Sequence, residues 1–390
     1  MSINNEAKTT KLVTQWNISA ISYNSKNNTA FEGSYMEDWL NDTSVDGFLG
    51  NLREPENFIV MDAKWDATKD ATSLGSIKRP NGTTIAEDAV GLLNIYEYQS
   101  SYYGTTYSNG YLNNGLSWLT LTPYNTSSVC YVYYDGYMAS LNSSEAGGIR
   151  PSINLKSSVK IVDGDGTIDN PYRLNGDNDT DLSGTLLTTR YSGEYIRFGN
   201  DKNNLYRIVS HETDGLTKIT SAEPLKSSSA FITSTFGNNV TFSSTNTIGT
   251  FLNGKYLTSY VDSEYSNMIE ESSTWYLGTV GDGASYKLAK YTDTNMSNLT
   301  STTTNAKVGL LRLGELMAGQ FDRDENNTNY WLLTPASSST VRYVYYYGYG
   351  GYNTSSNENG VRPSLNLKSN VQITGGDGTK NNPFTIELSS

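Results

Sequence analysis

Alternation of apolar and polar positions is the dominant pattern along the chain. After the Thr-Pro pairs at 122–123 and 334–335, β-branched and aromatic residues alternate with polar ones and stop at glycine, which predicts strands. Residues 193–220 hold alternating runs broken by Asn, Asp and Gly, which predicts hairpins. Helical periodicity is confined to short stretches, namely 34–41, 247–257, 261–271 and 306–317. The pattern predicts a strand-rich α+β fold.

The chain contains the same unit twice. Residues 118–174 align without a gap onto residues 330–386, and 29 of the 57 aligned positions are identical. Upstream, the segment VGLLNIYE at 90–97 matches VGLLRLGE at 308–315. Self-similarity over this length indicates a tandem repeat of whole domains, each strand-rich with one or two short helices.

The alignment also predicts the domain boundaries. Repeat 1 covers residues 1–174, an acidic and turn-rich linker covers 175–183, and repeat 2 covers 184–390. Repeat 1 begins to match only at 10–19, so it lacks the opening hairpin that repeat 2 has within 193–220. A strand without its neighbour has an unpaired edge, so either the missing part lies upstream or another element covers the edge.

Composition restricts the classes of partner. Asp and Glu number 40 against 28 Lys and Arg, giving a formal charge of −12, and no basic stripe is present, which argues against nucleic acid. Only 17% of residues are charged, so Ser, Thr, Asn, Gly and Tyr must cover a surface that suits an exported protein. No apolar run reaches membrane-spanning length, and the first twenty residues lack a signal-peptide pattern.

Single cysteine and histidine residues limit the chemistry further. Cys130 cannot form an internal disulfide or a cysteine-based zinc site by itself, and His211 by itself makes histidine-ligated metals and histidine-dependent triads improbable. His211 follows a predicted strand and is interpreted as a solvated hairpin residue. No cofactor is expected.

Two motifs carry a family resemblance. A run of Trp, Leu, Thr and Pro is followed by strand and then by Gly-(Ile/Val)-Arg-Pro-Ser-(Ile/Leu)-Asn-Leu-Lys, at 148–156 and 360–368. Each repeat ends in Gly-Asp-Gly-Thr-x-x-Asn-Pro, at 164–171 and 376–383. The chain resembles an uncharacterised family of repeated domains in surface proteins of gram-positive gut bacteria.

This family is similar to the C-type-lectin-like fold in its formylglycine-generating-enzyme-like branch, which includes retroelement-diversified variable proteins. The resemblance implies two tandem C-type-lectin-like domains on the cell surface. The enzyme of that branch needs two catalytic cysteines, whereas Cys130 stands alone and its counterpart is Arg342. The enzyme activity is therefore not carried over.

Positions that differ between the repeats indicate a candidate binding face. They concentrate in one strand and loop, among tyrosines and small polar residues, the combination that antibody loops use for recognition. In the resembled variable proteins the binding surface lies on the corresponding strand region. The predicted ligand-binding residues are Tyr133, Tyr134, Asp135, Tyr137, Ser140, Arg342, Tyr345, Tyr346, Tyr347, Tyr349, Tyr352, Asn353 and Asn357. The alternative is that these tyrosines only pack a cross-strand aromatic ladder.

Identical positions have structural interpretations. Gly136 and Gly348 suit turns, and Arg150 and Arg362 are expected to satisfy buried carbonyl groups. The segment 163–174 resembles the start of a calcium loop but has Ile168 and Leu174 where Gly and Glu are required, so it predicts a turn. The acidic linker residues are equally weak candidates for a metal site, and these are Asp177, Asp179 and Asp181.

The function predicted from these observations is a non-catalytic extracellular adhesion module that binds a glycan or protein ligand, with possible genetic diversification of its loops. A structural spacer in a surface fibre is the first alternative, and it requires a fully packed tyrosine ladder. A glycosidase is the second, with Glu97 or Glu315 and Asp165 or Asp377 as paired carboxylates; a helix-surface Glu and a turn Asp explain the same residues.

Overall fold

A computed structural model describes residues 2–4, 8–44, 47–69, 74, 77–102, 109–167, 170–175, 181–212, 214–278, 302–319 and 328–389. The structure is 36% strand and 12% helix, which confirms the strand-rich α+β class with short helices. No helix in these ranges is long and apolar enough to cross a membrane.

The elements of repeat 1 follow one another in short segments. Its described strands are β1 (Ser2–Asn4), β2 (Thr9–Val13), β3 (Ser19–Ser22), β4 (Ala63–Asp66), β5 (Ile85–Asp88), β6 (Val90–Gly91), β7 (Trp118–Pro123), β8 (Ser128–Val132), β9 (Met138–Asn142), β10 (Ala146–Ile149), β11 (Ser152–Leu155), β12 (Ile161–Asp163) and β13 (Arg173–Leu174). Its helices are α1 (Tyr35–Leu40), α2 (Pro55–Phe58) and α3 (Ile95–Gln99), with a 3₁₀ turn at Leu49–Asn51.

Repeat 2 has the same order with additions at its start. Its described strands are β14 (Tyr195–Arg197), β15 (Leu205–His211), β16 (Thr217–Ser221), β17 (Lys226–Ser227), β18 (Ala230–Phe231), β19 (Thr233–Thr235), β20 (Ser273–Tyr276), β21 (Thr303–Ala306), β22 (Val308–Leu310), β23 (Tyr330–Pro335), β24 (Thr340–Val344), β25 (Gly350–Thr354), β26 (Glu358–Gly360), β27 (Pro363–Leu367), β28 (Val371–Gly375) and β29 (Thr385–Leu388). Its helical segments are a 3₁₀ turn at Leu187–Thr189, α4 (Thr247–Phe251), a π-helical run at Leu252–Tyr256, α5 (Leu257–Ser259) and α6 (Ser263–Ser266).

A main antiparallel sheet recurs in both repeats. Its strand order is β1-β2-β11-β6 in repeat 1 and β14-β15-β16-β27-β22 in repeat 2. The register is preserved as well, because Lys11 lies opposite Asn154 and Lys218 lies opposite Asn366. The predicted hairpins within 193–220 are confirmed as β14, β15 and β16.

The edge predicted to be open in repeat 1 is partly covered. Strand β1 pairs with β2 from Thr9 to Lys11 and stops there, whereas in repeat 2 the equivalent pairing of β15 with β16 continues to Ser221. The first repeat therefore pairs only the beginning of an edge that the second repeat pairs along its whole length.

Local chemistry explains where the helices begin. Helix α1 is capped by Ser34 and α4 by Asn246, each side chain accepting a hydrogen bond from the backbone three residues on. The helix predictions at 34–41 and 247–257 are thus confirmed, and only Ser263–Ser266 of the stretch 261–271 is helical.

The helix predicted at 306–317 is wrong. Residues Val308–Leu310 form a buried strand that pairs with β27. A run of four apolar residues fits a buried strand as well as a helix, and sheet pairing decided between them. In repeat 1 the following residues do form a helix, because Asn94 caps α3 in a capping box with Glu97, but repeat 2 has Arg312 at the position of Asn94.

The two repeats share a buried core. Leu313, Leu316 and Met317 of repeat 2 belong to the same apolar cluster as Ile21 and Ile149 of repeat 1. Two polar contacts cross at the same place: the Met317 N–H donates to the Ile18 carbonyl at 2.7 Å, and the Ser19 hydroxyl donates to the Glu315 carbonyl at 2.9 Å. Because apolar burial is the main favourable term in folding, this contact joins the repeats firmly.

Candidate functional site

Each repeat presents a tight hairpin turn rich in tyrosine. Strands β8 and β9 are joined through Tyr133–Tyr137, and strands β24 and β25 through Tyr345–Tyr349. The first residue of each turn donates its N–H to the carbonyl of the last, at 2.8 and 2.9 Å. Gly136 and Gly348 adopt φ values of 89° and 80°, a left-handed conformation that favours glycine, which explains why both repeats keep Gly there.

The two turns meet each other. The rings of Tyr134 and Tyr347 stack with centroids 3.9 Å apart and planes 11° from parallel. Tyr131 of repeat 1 meets Tyr349 of repeat 2 edge to face, with centroids 6.5 Å apart. Such offset or edge contacts contribute about 0.5–1.5 kcal/mol beyond the burial of area. Tyrosines that the sequence placed in two separate faces therefore lie in one cluster.

We name the half-buried part of this cluster the tyrosine seam. Its members are Tyr133, Tyr134, Tyr345, Tyr346, Tyr347 and Tyr349. The rings of Tyr345 and Tyr349 stack at 4.4 Å, and the hydroxyls of Tyr346 and Tyr347 are hydrogen-bonded. The seam is a continuous strip of phenol rings that keeps part of each ring in water.

Backbone contacts hold the seam together from beneath. The N–H of Ser117 donates to the carbonyl of Tyr347 at 2.7 Å, and the Asn17 amide donates to the Gly348 carbonyl at 3.0 Å. A Cβ added at Gly148 would lie 2.1 Å from the Asn17 amide nitrogen and 2.5 Å from the Gly348 carbonyl oxygen. The turn of repeat 2 is therefore seated on backbone of repeat 1, where only glycine leaves room for it.

The other predicted site residues lie on the same two hairpins, except Asn357, which follows β25. Tyr137 and Tyr352 are each 52% exposed. Asp135, Ser140 and Asn357 are also exposed, and Asn353 is half-buried. Arg342 is buried in β24, opposite Tyr352, with its guanidinium 5.7 Å from that ring.

Two tyrosines next to the predicted set are core residues. Tyr131 and Tyr343 are buried, so these positions pack the hairpins and do not face water. The aromatic ladder interpretation holds for this inner pair. The seam tyrosines are only partly buried.

Three phenols of the seam have a raised pKa. Burial raises the pKa of Tyr133 and of Tyr349. The hydrogen bond with Tyr346 and then burial raise the pKa of Tyr347. These three hydroxyls can thus donate and accept hydrogen bonds at neutral pH, and they offer polar edges on apolar rings without added charge.

Each repeat has a lysine–glutamate ion pair at matched positions, which was not predicted from the sequence. Lys11 contacts Glu97 at 2.6 Å and lies 4.9 Å from the Trp65 ring. Lys218 contacts Glu315 at 2.8 Å and lies 5.6 Å from the Trp275 ring. The signal was available, because all three residue types recur at matched positions of the two repeats.

The surroundings of the two pairs differ. In repeat 2, Glu212 and Arg312 add contacts at 2.9 and 3.2 Å, and Lys218 and Glu315 are buried. Burial would raise the pKa of Glu315, but Lys218 and Arg312 outweigh it and lower that pKa to about 2. Interpreting Glu315 as a helix-surface residue is therefore wrong, because it is the centre of a buried charge network.

In repeat 1 the same pair borders an open cleft of about 510 Å³. Lys11, Leu12 and Val13 of β2 form one wall, and Tyr96, Glu97 and Tyr111 lie among the residues opposite. Asn94 is small where repeat 2 has Arg312, so the space above the ion pair stays open.

Comparison with protein families accounts for both repeats. A profile of the domain of unknown function DUF6273 matches residues 8–157 and 235–369, which together make up most of the chain. The chain belongs to the DUF6273 family. The DUF6273 region is present in two segments that coincide with the repeated strands. No curated protein and no solved structure matches the chain.

The remaining positions in the DUF6273 repeats have structural roles. Arg150 donates to the carbonyls of Thr14 and Leu112, and Arg362 donates to the carbonyls of Ser221 and Met317, as predicted. Burial raises the pKa of the Cys130 thiol to about 12, so the thiol is unreactive at neutral pH.

His211 is half-buried rather than solvated. Its Nδ1 lies 3.1 Å from the Thr217 hydroxyl, and its Nε2 contacts the carbonyl of Arg190. Burial lowers its pKa, so the ring is neutral at pH 7. The interpretation of a solvated residue is corrected, because the segment around Arg190 covers the ring.

The carboxylates of the two Gly-Asp-Gly-Thr motifs belong to turns. Asp165 accepts hydrogen bonds from Thr167, and Asp377 does so from Thr379, in the loops that join β12 to β13 and β28 to β29. Ile168, Asp177 and Asp179 lie outside the described residues. Among the residues that are described, no group of three or more potential ligands is close enough to hold a metal ion.

The carboxylates considered for hydrolysis lie on different elements. Glu97 belongs to α3 and is paired with Lys11, and Glu315 is paired with Lys218, whereas Asp165 and Asp377 lie in hairpin loops. Each of these four carboxylates already has an ion-pair or hydrogen-bond partner.

Proposed function

We propose that this DUF6273 protein is a non-catalytic binding module on the outside of a cell, which recognises a glycan or protein ligand through the tyrosine seam. The observation that carries the proposal is the meeting of the two turns. It gathers six half-buried phenol rings into one strip, and Tyr137 and Tyr352 of the same hairpins are more exposed.

The chemistry of this surface suits recognition. Tyrosine supplies large contact area with little loss of side-chain entropy, and neighbouring Ser, Asn and Asp supply adaptable hydrogen bonds. Among the exposed polar residues, Asp135 lies in the turn beside Tyr134, Ser140 lies on β9 of the same hairpin, and Asn357 follows β25. Arg342 is left out of the contact surface because it is buried, and its role in the proposal is to support the Tyr352 ring from below.

The proposal includes a C-type-lectin-like fold for each repeat and an extracellular location. The strand-rich α+β class supports the fold, and the small share of charged residues, 17%, supports the location. Diversified loops are consistent with the concentration of differences between the repeats in one strand and turn.

Glycan and protein arrays test the proposal. The variants are Tyr137→Ala, Tyr346→Ala and Tyr352→Ala, alone and together. Tyr111→Ala and Tyr172→Ala are matched controls, because both rings are exposed and lie outside the seam. We expect the triple variant to lose at least about tenfold in affinity, as central aromatic residues of interfaces do. Full retention of binding by a folded triple variant would remove the seam as the recognition surface.

A structural spacer is the second candidate, and the shared core between the repeats favours it. Leu313 and Met317 pack with residues of repeat 1, so the two units form one continuous body. Arrays that give no specific ligand for the wild type, together with a single unfolding transition for both repeats, would favour the spacer over the binding module.

A further inference from the structure

Two tyrosines of the seam come from different repeats and face each other ring to ring. Tyr134 of repeat 1 and Tyr347 of repeat 2 have centroids 3.9 Å apart and planes 11° from parallel, so carbon atoms of the two rings are in contact across their π faces. The rings of Tyr346 and Tyr347 are as close, at 3.8 Å, but their planes are 49° apart and the residues are neighbours in the chain. Among the ring pairs described across the repeats, Tyr134 with Tyr347 is the one stacked face to face.

Contacts on both sides keep this pair together. The turn that carries Tyr347 is fastened to repeat 1, because the N–H of Ser117 donates to the Tyr347 carbonyl at 2.7 Å. The Tyr134 ring packs on its neighbour Tyr133, with centroids 4.7 Å apart. Reactive groups that are held in contact react as though at a very high effective concentration. Any chemistry open to two phenols is therefore favoured at this pair.

Both phenols of the pair reach water, and their hydroxyls are hydrogen-bonded. Tyr134 and Tyr347 are half-buried, whereas Tyr131 and Tyr343 of the same hairpins are buried. The Tyr347 hydroxyl is hydrogen-bonded to the hydroxyls of Tyr346 and Tyr134. A neighbouring hydroxyl can accept the proton that a phenol releases when it loses an electron. The pair thus combines ring contact, access for an oxidant and a path for protons.

We propose that Tyr134 and Tyr347 form an oxidative cross-linking site, at which a peroxidase that uses hydrogen peroxide joins the two repeats through a dityrosine bond. The proposal assigns a covalent modification to the seam. It goes beyond ligand recognition and does not depend on it, because the reaction requires only the two phenols and the oxidant.

The reaction balances with one molecule of hydrogen peroxide. Each phenol loses one electron and one proton and becomes a phenoxyl radical, and the peroxide takes up both electrons and both protons to form two molecules of water. The unpaired electron of a phenoxyl radical is shared by the ring carbons ortho to the oxygen, so the two radicals form a carbon–carbon bond between these positions. Each bonded carbon then releases its hydrogen as a proton, and each oxygen regains a proton. The product is two hydrogen atoms lighter than the starting chain.

The bond would connect residues 213 positions apart in the chain. A cross-link that closes a long loop stabilises a protein mainly by restricting its unfolded state. We therefore expect the oxidised chain to unfold at a higher temperature than the untreated chain.

Treatment of the full chain with a purified haem peroxidase and hydrogen peroxide, without any ligand, tests the proposal. Dityrosine fluorescence, intact mass and sequencing of linked peptides report the product. We expect a monomer that is two hydrogen atoms lighter, with Tyr134 linked to Tyr347. Tyr134→Phe and Tyr347→Phe keep a ring that can stack but remove the phenol, so each should lose this link. Tyr111→Phe is the matched control, because its ring is 67% exposed outside the seam, and it should keep the link.

The remaining outcomes would overturn the proposal. Circular dichroism of the untreated variants first verifies that they are folded. Absence of dityrosine from the oxidised wild-type monomer would show that the pair does not couple. Dityrosine found only between chains, in an amount that rises with protein concentration, would mean that exposed tyrosines react by collision. A monomer whose only link joins another pair, such as Tyr345 and Tyr349, would place the site elsewhere.

Discussion

The two repeats of this chain are built on the same strands and differ in what covers them. Repeat 2 buries its Lys218–Glu315 pair beneath Arg312 and its closing hairpin, β28 and β29, beneath residues 184–198. Repeat 1 leaves the Lys11–Glu97 pair beside an open cleft and its closing hairpin, β12 and β13, in water. Among the described residues one sequence pattern thus gives a closed unit and an open unit, and residues 184–198 and Arg312 cover the closed one.

The closing hairpins should show the largest difference between matched variants. Phe384→Ala removes a fully buried ring and should lower the free energy of unfolding by about 3–5 kcal/mol, the range for large-to-small core changes. Tyr172→Ala removes a half-exposed ring and should change it by less than about 1 kcal/mol. Urea unfolding measures both. Equal losses would mean that the hairpin of repeat 1 is also covered.

The ion pairs should differ next. Glu315→Gln leaves Lys218 buried beside Glu212 and Arg312, and should cost about 3 kcal/mol, since removing one partner of a buried pair strands the other. Glu97→Gln acts on a pair whose side chains are 19% and 25% exposed, and should cost about 1 kcal/mol or less.

Glutamine is a suitable replacement at both positions because its side-chain oxygen can still accept the backbone N–H of residue 94 or 312. Thermal unfolding at neutral pH separates the two variants. A larger loss for Glu97→Gln than for Glu315→Gln would contradict the assignment of open and closed pairs.

Stacking across the seam should give a smaller coupling. A double-mutant cycle with Tyr134→Ala and Tyr347→Ala should yield about 1 kcal/mol of interaction, as offset aromatic pairs do. The control cycle pairs Tyr134→Ala with Tyr352→Ala, which removes an exposed ring of β25 that lies against Arg342. A coupling near zero for the first cycle would mean that the two turns do not meet in solution.

Lowering the pH should change the stability of the two repeats in opposite directions. This is the smallest of the predicted effects. The pKa of Glu315 is lowered to about 2, so its stabilisation is complete above its ordinary value of 4.5 and is lost as the pH falls below that value. Burial and the neighbouring Asp88 carboxyl raise the pKa of Glu37 in repeat 1 to about 7, against the N–H of Gly33, which lowers it. Stability from that site therefore falls as the pH rises from 4.5 to 7.

Glu37→Gln should flatten the pH dependence of the melting temperature between 4.5 and 7 and leave the acid limb unchanged. Repeat 2 has Gly249 at the position of Glu37, so it has no equivalent of this titration. If the wild-type melting temperature rises between pH 4.5 and 7 and Glu37→Gln abolishes that rise, the predicted sign of the Glu37 contribution is wrong.

Local sequence patterns predicted the strands and turns well. They could not predict the contacts between the repeats. Alternation and turn glycines such as Gly136 and Gly348 have local causes, which is why strands β8, β9, β24 and β25 were predicted. The meeting of Tyr134 with Tyr347 joins residues 213 positions apart and depends on how the repeats pack. Alternation alone could not show whether Tyr133 or Tyr343 is more exposed.

The burial of Glu315 could not be predicted from the sequence either. Its neighbours Lys218 and Glu212 come from strands about one hundred residues earlier, so charge and spacing near Glu315 gave no sign of them. The strand at Val308–Leu310 was misjudged for a related reason, because four apolar residues are too few to separate the two periodicities.

Hydrogen–deuterium exchange of the two closing hairpins tests the central comparison most directly, since both hairpins lie in one chain under one set of conditions. Amide groups of β28 and β29 should be protected nearly to the level of global unfolding, and those of β12 and β13 should exchange at least about a hundredfold faster through local opening. Equal protection of the two hairpins would contradict the account of an open first repeat and a closed second repeat built on the same fold.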